Sequence, residues 1–155
     1  ITLFGDFFEY PLENLRKVLD LNLVGSFLLT QASARQMRAQ KTGGRILLMS
    51  SVVGHQAHQF LGAYAMSKAG LEMLAKNLVI ELSPFGITIN TVAPGVIRTP
   101  MHGDKADQNA GLHLLNRVGE IEDVAEMVYT VAKSNFSTGA IINVDGGKAA
   151  GHNLN

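Results

Sequence analysis

Ile87-Thr88-Ile89-Asn90-Thr91-Val92-Ala93-Pro94-Gly95 is rich in β-branched residues and halts at a Pro-Gly pair. Such a run reads as a strand buried inside a parallel sheet. Upstream, Arg45 to Ser51 carries the apolar run Ile46-Leu47-Leu48-Met49, closed by polar residues, and reads as a second strand of the same kind. Downstream, Ala140 to Val144 reads as a third, followed by Asp145-Gly146-Gly147. The segments between them have helical spacing. Apolar residues recur at that spacing from Leu12 to about Arg38, after Pro11, whose fixed φ suits a first helical turn. Lys41-Thr42-Gly43-Gly44 stops this helix. A second long helix is predicted from about Tyr64 to Leu82, ended by Ser83-Pro84-Phe85-Gly86, and a shorter one from Glu122 to Lys133. Val96 to Arg117 is the longest stretch without a periodic pattern and is expected to be a structureless lid or binding loop.

Strands alternating with crossover helices predict an α/β fold with a doubly wound, Rossmann-like parallel sheet. Residues 1–155 form a single domain in this reading, with the lid at about 96–117. Three strands are few for such a sheet, and the first would present a long apolar edge.

Apolar residues make up 46% of the 155 and charged residues 17%, as in a chain with a well-buried core. The formal net charge is zero and no basic stripe is present, which argues against a nucleic-acid partner. There is no cysteine, hence neither a disulfide framework nor a thiolate metal site. His55, His58, His102, His113 and His152 fall in no metal-ligand spacing. The apolar runs are too short to span a bilayer, so no membrane partner is expected.

In open α/β sheets ligands bind at the carboxyl ends of the strands. Ser50-Ser51 ends the first strand, Pro94-Gly95 the second, and Tyr64 opens the helix between them. Thirteen residues separate Ser51 from Tyr64, enough for a loop that returns to the same rim. Lys68 lies four residues after Tyr64, one turn along the same helix face. An ammonium there is expected to lower the phenol's pKa and make it a proton donor and acceptor near neutrality.

Five blocks carry a resemblance. They are Leu21-Asn22-Leu23-Val24-Gly25, Ser51-Val52-Val53-Gly54, Tyr64-Ala65-Met66-Ser67-Lys68-Ala69, Ile89 to Met101, and Thr138-Gly139-Ala140 running into Val144-Asp145-Gly146-Gly147. In this order and spacing the chain resembles the short-chain dehydrogenase/reductase family over nearly its whole length. The resemblance implies Tyr64 as general acid/base, with Lys68 tuning it and binding the nicotinamide ribose. It implies Ser51 holding the substrate carbonyl and Asn22 holding a water that links Lys68 to solvent. Pro94, Gly95, Val96, Ile97 and Thr99 would hold the nicotinamide ring and its carboxamide, with Tyr64 and Lys68 beside it. Gly95 is expected there because a side chain would meet the ligand.

The family's opening strand and glycine-rich pyrophosphate turn have no counterpart here, since neither G-x-x-x-G-x-G nor G-x-G-x-x-G occurs. With Ile1 in first place, the chain is expected to be the C-terminal portion of the family fold, starting after its fourth strand. The expected function is hydride transfer between NAD or NADP, undetermined as to which, and a small alcohol or ketone. The alternative is a truncated, noncatalytic remnant acting as an interaction or oligomerisation module. A cytoplasmic homo-oligomer, assembled through the two long helices, completes the expectation.

Overall fold

The computed structural model describes residues 1–151, without the side chains of Asp104 and Lys105. Three parallel strands lie in the order β1 (Gly44–Met49), β2 (Ile87–Pro94), β3 (Ile141–Val144). Helices α2 (Gly25–Gln40) and α3 (Gly62–Leu82) pack on β1 and β2, while α4 (Ile121–Lys133) packs against all three strands. Ile46, Leu48, Ile87 and Ile89 project from alternate strand positions into a core closed by Leu71, Ala75 and Leu82 of α3. The predicted α/β architecture is therefore present, and β1 is an edge strand with Met49 exposed.

The first predicted helix is present without a gap but is not α-helical throughout. It runs as α1 (Leu12–Leu19), a π-helical turn over Asp20–Val24, and then α2. Pro11 stands just before α1, and its carbonyl accepts from the amides of Asn14 and Leu15. In the π turn the Ser26 hydroxyl donates to the Asn22 carbonyl at 2.8 Å. The extra residue per turn rotates α2 relative to α1 and sets Asn22 on the buried side.

On α3, Ala63, Ser67, Leu71 and Ala75 recur every fourth residue and are all buried. Gly70 lets Leu23 sit close, because a Cβ there would lie 2.9 Å from a Leu23 methyl. Gly43 and Gly86 have φ of +72° and +68° and start β1 and β2 side by side. A Cβ on Gly43 would stand 2.6 Å from the Gly86 carbonyl oxygen, so β1 can start this close to β2 only with glycine at position 43.

The loop after β2 is not structureless as expected: Gly103–Leu112 forms successive 3-10 turns. Thr138 and Gly139 anchor β3. The Gly139 amide donates to the Ile89 carbonyl at 2.7 Å, and the Ile89 amide to the Thr138 hydroxyl at 3.2 Å. Buried Asn90 completes the junction, accepting from the Ala140 amide at 3.0 Å and donating to the Ser137 carbonyl at 2.9 Å.

Candidate active site

Ser51, Tyr64 and the Gly95-Val96 backbone line one cavity of about 300 Å³ at the carboxyl ends of β1 and β2. Ser51 stands just past β1. Its hydroxyl accepts from the Val53 amide and donates to the Pro94 carbonyl, both at 3.5 Å. Bonds this long leave the hydroxyl weakly committed to the protein. Tyr64 sits in the first turn of α3. Burial pushes its phenol above the ordinary tyrosine range, and the neighbouring Ser51 hydroxyl pulls the other way. The expected lowering by Lys68 is not what this geometry produces. The Lys68 ammonium lies 5.4 Å from the centroid of the Tyr64 ring and donates to the Met49 carbonyl at 2.8 Å. Burial lowers the pKa of Lys68 in turn.

Asn22 reaches the same helix from the π turn. Its Nδ2 donates to Ser67 Oγ at 3.1 Å, and Ser67 donates to the Tyr64 carbonyl at 2.7 Å. The Ile1 amino group and carbonyl also bond to the Asn22 side chain. Asn22 thus braces the turn of α3 between Tyr64 and Lys68.

The loop after β2 is pinned from behind. The Gly95 amide donates to the Val144 carbonyl at 3.0 Å, and the Val96 amide donates to Nε2 of buried His113 at 3.1 Å. A Cβ on Gly95 would lie 2.8 Å from that Nε2 and 3.0 Å from Asp145 Cα. Its need for glycine therefore comes from the protein's own packing. Ile97 forms an isolated parallel bridge with Gly119, and the Thr99 carbonyl accepts from the His102 amide. The residues present fit the nicotinamide end of a dinucleotide, because backbone at Gly95 and Val96 borders the same cavity as the Tyr64 phenol.

The pattern-based reading passed over Glu72. It follows Tyr64 and Lys68 at the next four-residue step of α3 and is buried at 5% exposure. One of its oxygens accepts from Ser50 Oγ at 2.7 Å and pairs with His55 Nδ1 at 2.9 Å. Gly54 must be glycine for this, since a Cβ there would lie 2.8 Å from the same oxygen. The carboxylate ties the residues on both sides of Ser51 to the helix that carries Tyr64. Its signal in the sequence was the i, i+4, i+8 spacing of Tyr64, Lys68 and Glu72. Lys148 was also passed over: it lines the cavity and is buried. Among the described residues no cluster of three or more His, Asp or Glu could hold a metal, and His152 lies outside them.

A family model described as enoyl-(acyl carrier protein) reductase matches residues 1–149. The chain is 32% identical over 152 residues to trans-4-hydroxycyclohexanecarboxylate dehydrogenase of Sinomonas cyclohexanicum, covering 97% of this chain and 58% of that protein. The crystal structure of a short-chain type dehydrogenase/reductase from Mycobacterium marinum superposes with a TM-score of 0.89 at 34% identity, over 96% of this chain and 61% of the other. A gluconate 5-dehydrogenase from Burkholderia cenocepacia J2315, in complex with NADP and tartrate, superposes with a TM-score of 0.91 at 26% identity, over 97% and 62%. The chain therefore spans about three-fifths of the length of these relatives. With the sheet order, the rim and these matches in agreement, the chain belongs to the short-chain dehydrogenase/reductase family.

Proposed function

We propose that this chain carries the acid-base and nicotinamide-side half of an NAD(P)-dependent oxidoreductase acting on a small alcohol or ketone. The observation that carries the reading is the convergence of Ser51, Tyr64 and the Gly95-Val96 backbone on one cavity. A nicotinamide cofactor, when bound, supplies or accepts the hydride. Ser51 donates a hydrogen bond to the substrate oxygen and holds the carbonyl in line. Tyr64 gives its phenolic proton to that oxygen in reduction and takes it back in oxidation. A phenol kept protonated by burial suits the reductive direction at neutral pH. Lys68 contributes positive charge beside the phenol and a donor for the ribose, and Asn22 fixes the helical turn that bears both. Pro94, Gly95, Val96, Ile97 and Thr99 form the edge against which the carboxamide rests.

Exposed Leu21, Leu28 and Leu29 on the first helical unit, with Met66, Met73 and Ile80 on α3, support assembly of copies through these helices. No helix among the described residues is long and apolar enough to cross a membrane. The test of the reading is Tyr64→Phe in the complete protein. Ketone reduction falls by about 10²- to 10⁴-fold while NAD(P)H affinity holds. Retained turnover would sink the assignment.

A further inference from the structure

Lys148 follows the Asp145-Gly146-Gly147 turn after β3 and begins a short 3-10 turn. It is only 9% exposed and lines the cavity that also holds Ser51 and Tyr64. Its backbone is fixed, the amide donating to the Asp145 carbonyl at 3.0 Å and its carbonyl accepting from Gln56 Nε2 at 3.1 Å. The ammonium has no hydrogen bond or ion pair to any described residue. Asp145, the nearest acid in sequence, is already occupied: its two oxygens accept from the amides of Gly147 and Ala149 at 3.0 and 2.7 Å.

The body of the side chain lies along the wall, and its ammonium, unpaired among the described residues, keeps the surface through which a ligand can reach it. Among the described residues no Asp or Glu lines the cavity, and its other ionisable neighbours besides Tyr64 are His58 and His102. The rest is largely apolar, with Phe4, Val53, Leu61 and Leu112 among the wall residues. Among the described residues Lys148 is thus the cavity's one fixed charge, in a chain whose formal net charge is zero.

We propose that Lys148 is the specificity-determining residue of this site and binds an anionic group, a carboxylate or a phosphate, carried by the alcohol or ketone substrate. The inference rests on the reading of Ser51 and Tyr64 as the reacting end, and it deepens that reading by naming the substrate class. One end of the substrate meets the Ser51 hydroxyl and the Tyr64 phenol. The other meets the Lys148 ammonium, and the intervening carbons meet apolar wall. A cavity of about 300 Å³ restricts the substrate to a small molecule.

The test uses the complete protein with its cofactor and a matched panel: short hydroxycarboxylic acids, their methyl esters, and phosphate monoesters of the corresponding diols. Binding is read by calorimetric titration and turnover by NAD(P)H absorbance. The parent protein binds an anionic member more tightly than the matched ester by roughly ten- to hundredfold. Lys148→Met removes the difference and Lys148→Arg keeps it. Which anion leads, carboxylate or phosphate, identifies the source of the charge. Equal binding of acid, phosphate and ester in the parent overturns the proposal, as does an anion preference that survives in Lys148→Met, or no binding of any anionic member. If Lys148→Met does not fold, Lys148→Gln gives the same comparison. Tyr64→Phe keeps the affinity ratio while losing turnover. A Tyr64→Phe protein that still turns over defeats the acid-base reading, and the binding ratio then judges Lys148 separately.

Discussion

Ser51 and Tyr64 on one side and the loop from Val96 to Arg117 on the other face one cavity, but they are held by different forces. Behind the rim every brace is buried: Glu72 beneath Ser50, and Asn22 and Ser67 beneath Tyr64. Around the loop the braces are mostly ion pairs in water. Arg98 bonds to Asp107 at 2.6 Å and to Glu120 at 3.0 Å, and Arg117 bonds to Asp123 at 2.7 Å. Exposed pairs contribute little and weaken with salt, whereas a buried carboxylate stripped of its partners is costly. The contrast assigns precision to the side that carries Ser51 and Tyr64 and latitude to the loop. His113 is the exception on the loop, buried and bonded to the Val96 amide.

The contrast can be broken first at Ser51. Its hydroxyl makes two long contacts to the backbone and otherwise meets the Tyr64 phenol, so Ser51→Ala lowers turnover of the complete enzyme by about 10²-fold. The melting temperature stays unchanged, and a fall in stability matching the fall in rate would place Ser51 among the structural braces instead. Glu72→Ala is the converse. It leaves Ser50 and His55 without their shared acceptor and lowers stability by about 2 kcal/mol, read by urea unfolding. An unchanged unfolding midpoint would show that the buried brace is dispensable.

The smallest effect belongs to the loop. The Arg117 guanidinium and the Glu120 amide hold the Asp123 carboxyl down to about 2. A depressed carboxyl stabilises the fold above its ordinary value near 3.8 and loses that contribution as pH falls through about 2. Asp123→Asn therefore leaves stability at neutral pH nearly unchanged in high salt, since the pair is exposed. Between pH 4 and 2 the parent loses more stability than the variant, and parallel acid-unfolding curves would contradict the account.

The strands were legible as continuous apolar or β-branched runs closed by polar residues or Pro-Gly, and α3 because packing every fourth residue leaves a direct trace in residue order. The π turn was not: one additional residue at Asp20–Val24 is absorbed by a helical pattern that tolerates small phase errors. The 3-10 turns of Gly103–Leu112 lie in a polar, glycine-containing stretch with no periodic apolar face to announce them. Ser51, Tyr64 and Lys68 could be grouped from spacing alone, since a strand end and the next helix start share a rim. The Glu72 contacts could not, because Ser50 and His55 lie 22 and 17 residues away and meet it only after β1 docks on α3. Lys148 is hidden for a related reason: a lysine after a Gly-Gly turn reads as solvent-exposed until the cavity closes around it.

The account turns on Tyr64 being an acid that burial keeps protonated. The direct measurement is a pH titration of the ¹³Cζ resonance of Tyr64 in this chain, assigned by its loss in Tyr64→Phe. The account predicts a midpoint above the ordinary value of 10.0, moved further up in Ser51→Ala because the hydroxyl that opposes burial is gone. A midpoint below 10.0 would contradict it, showing that Lys68 already governs the phenol.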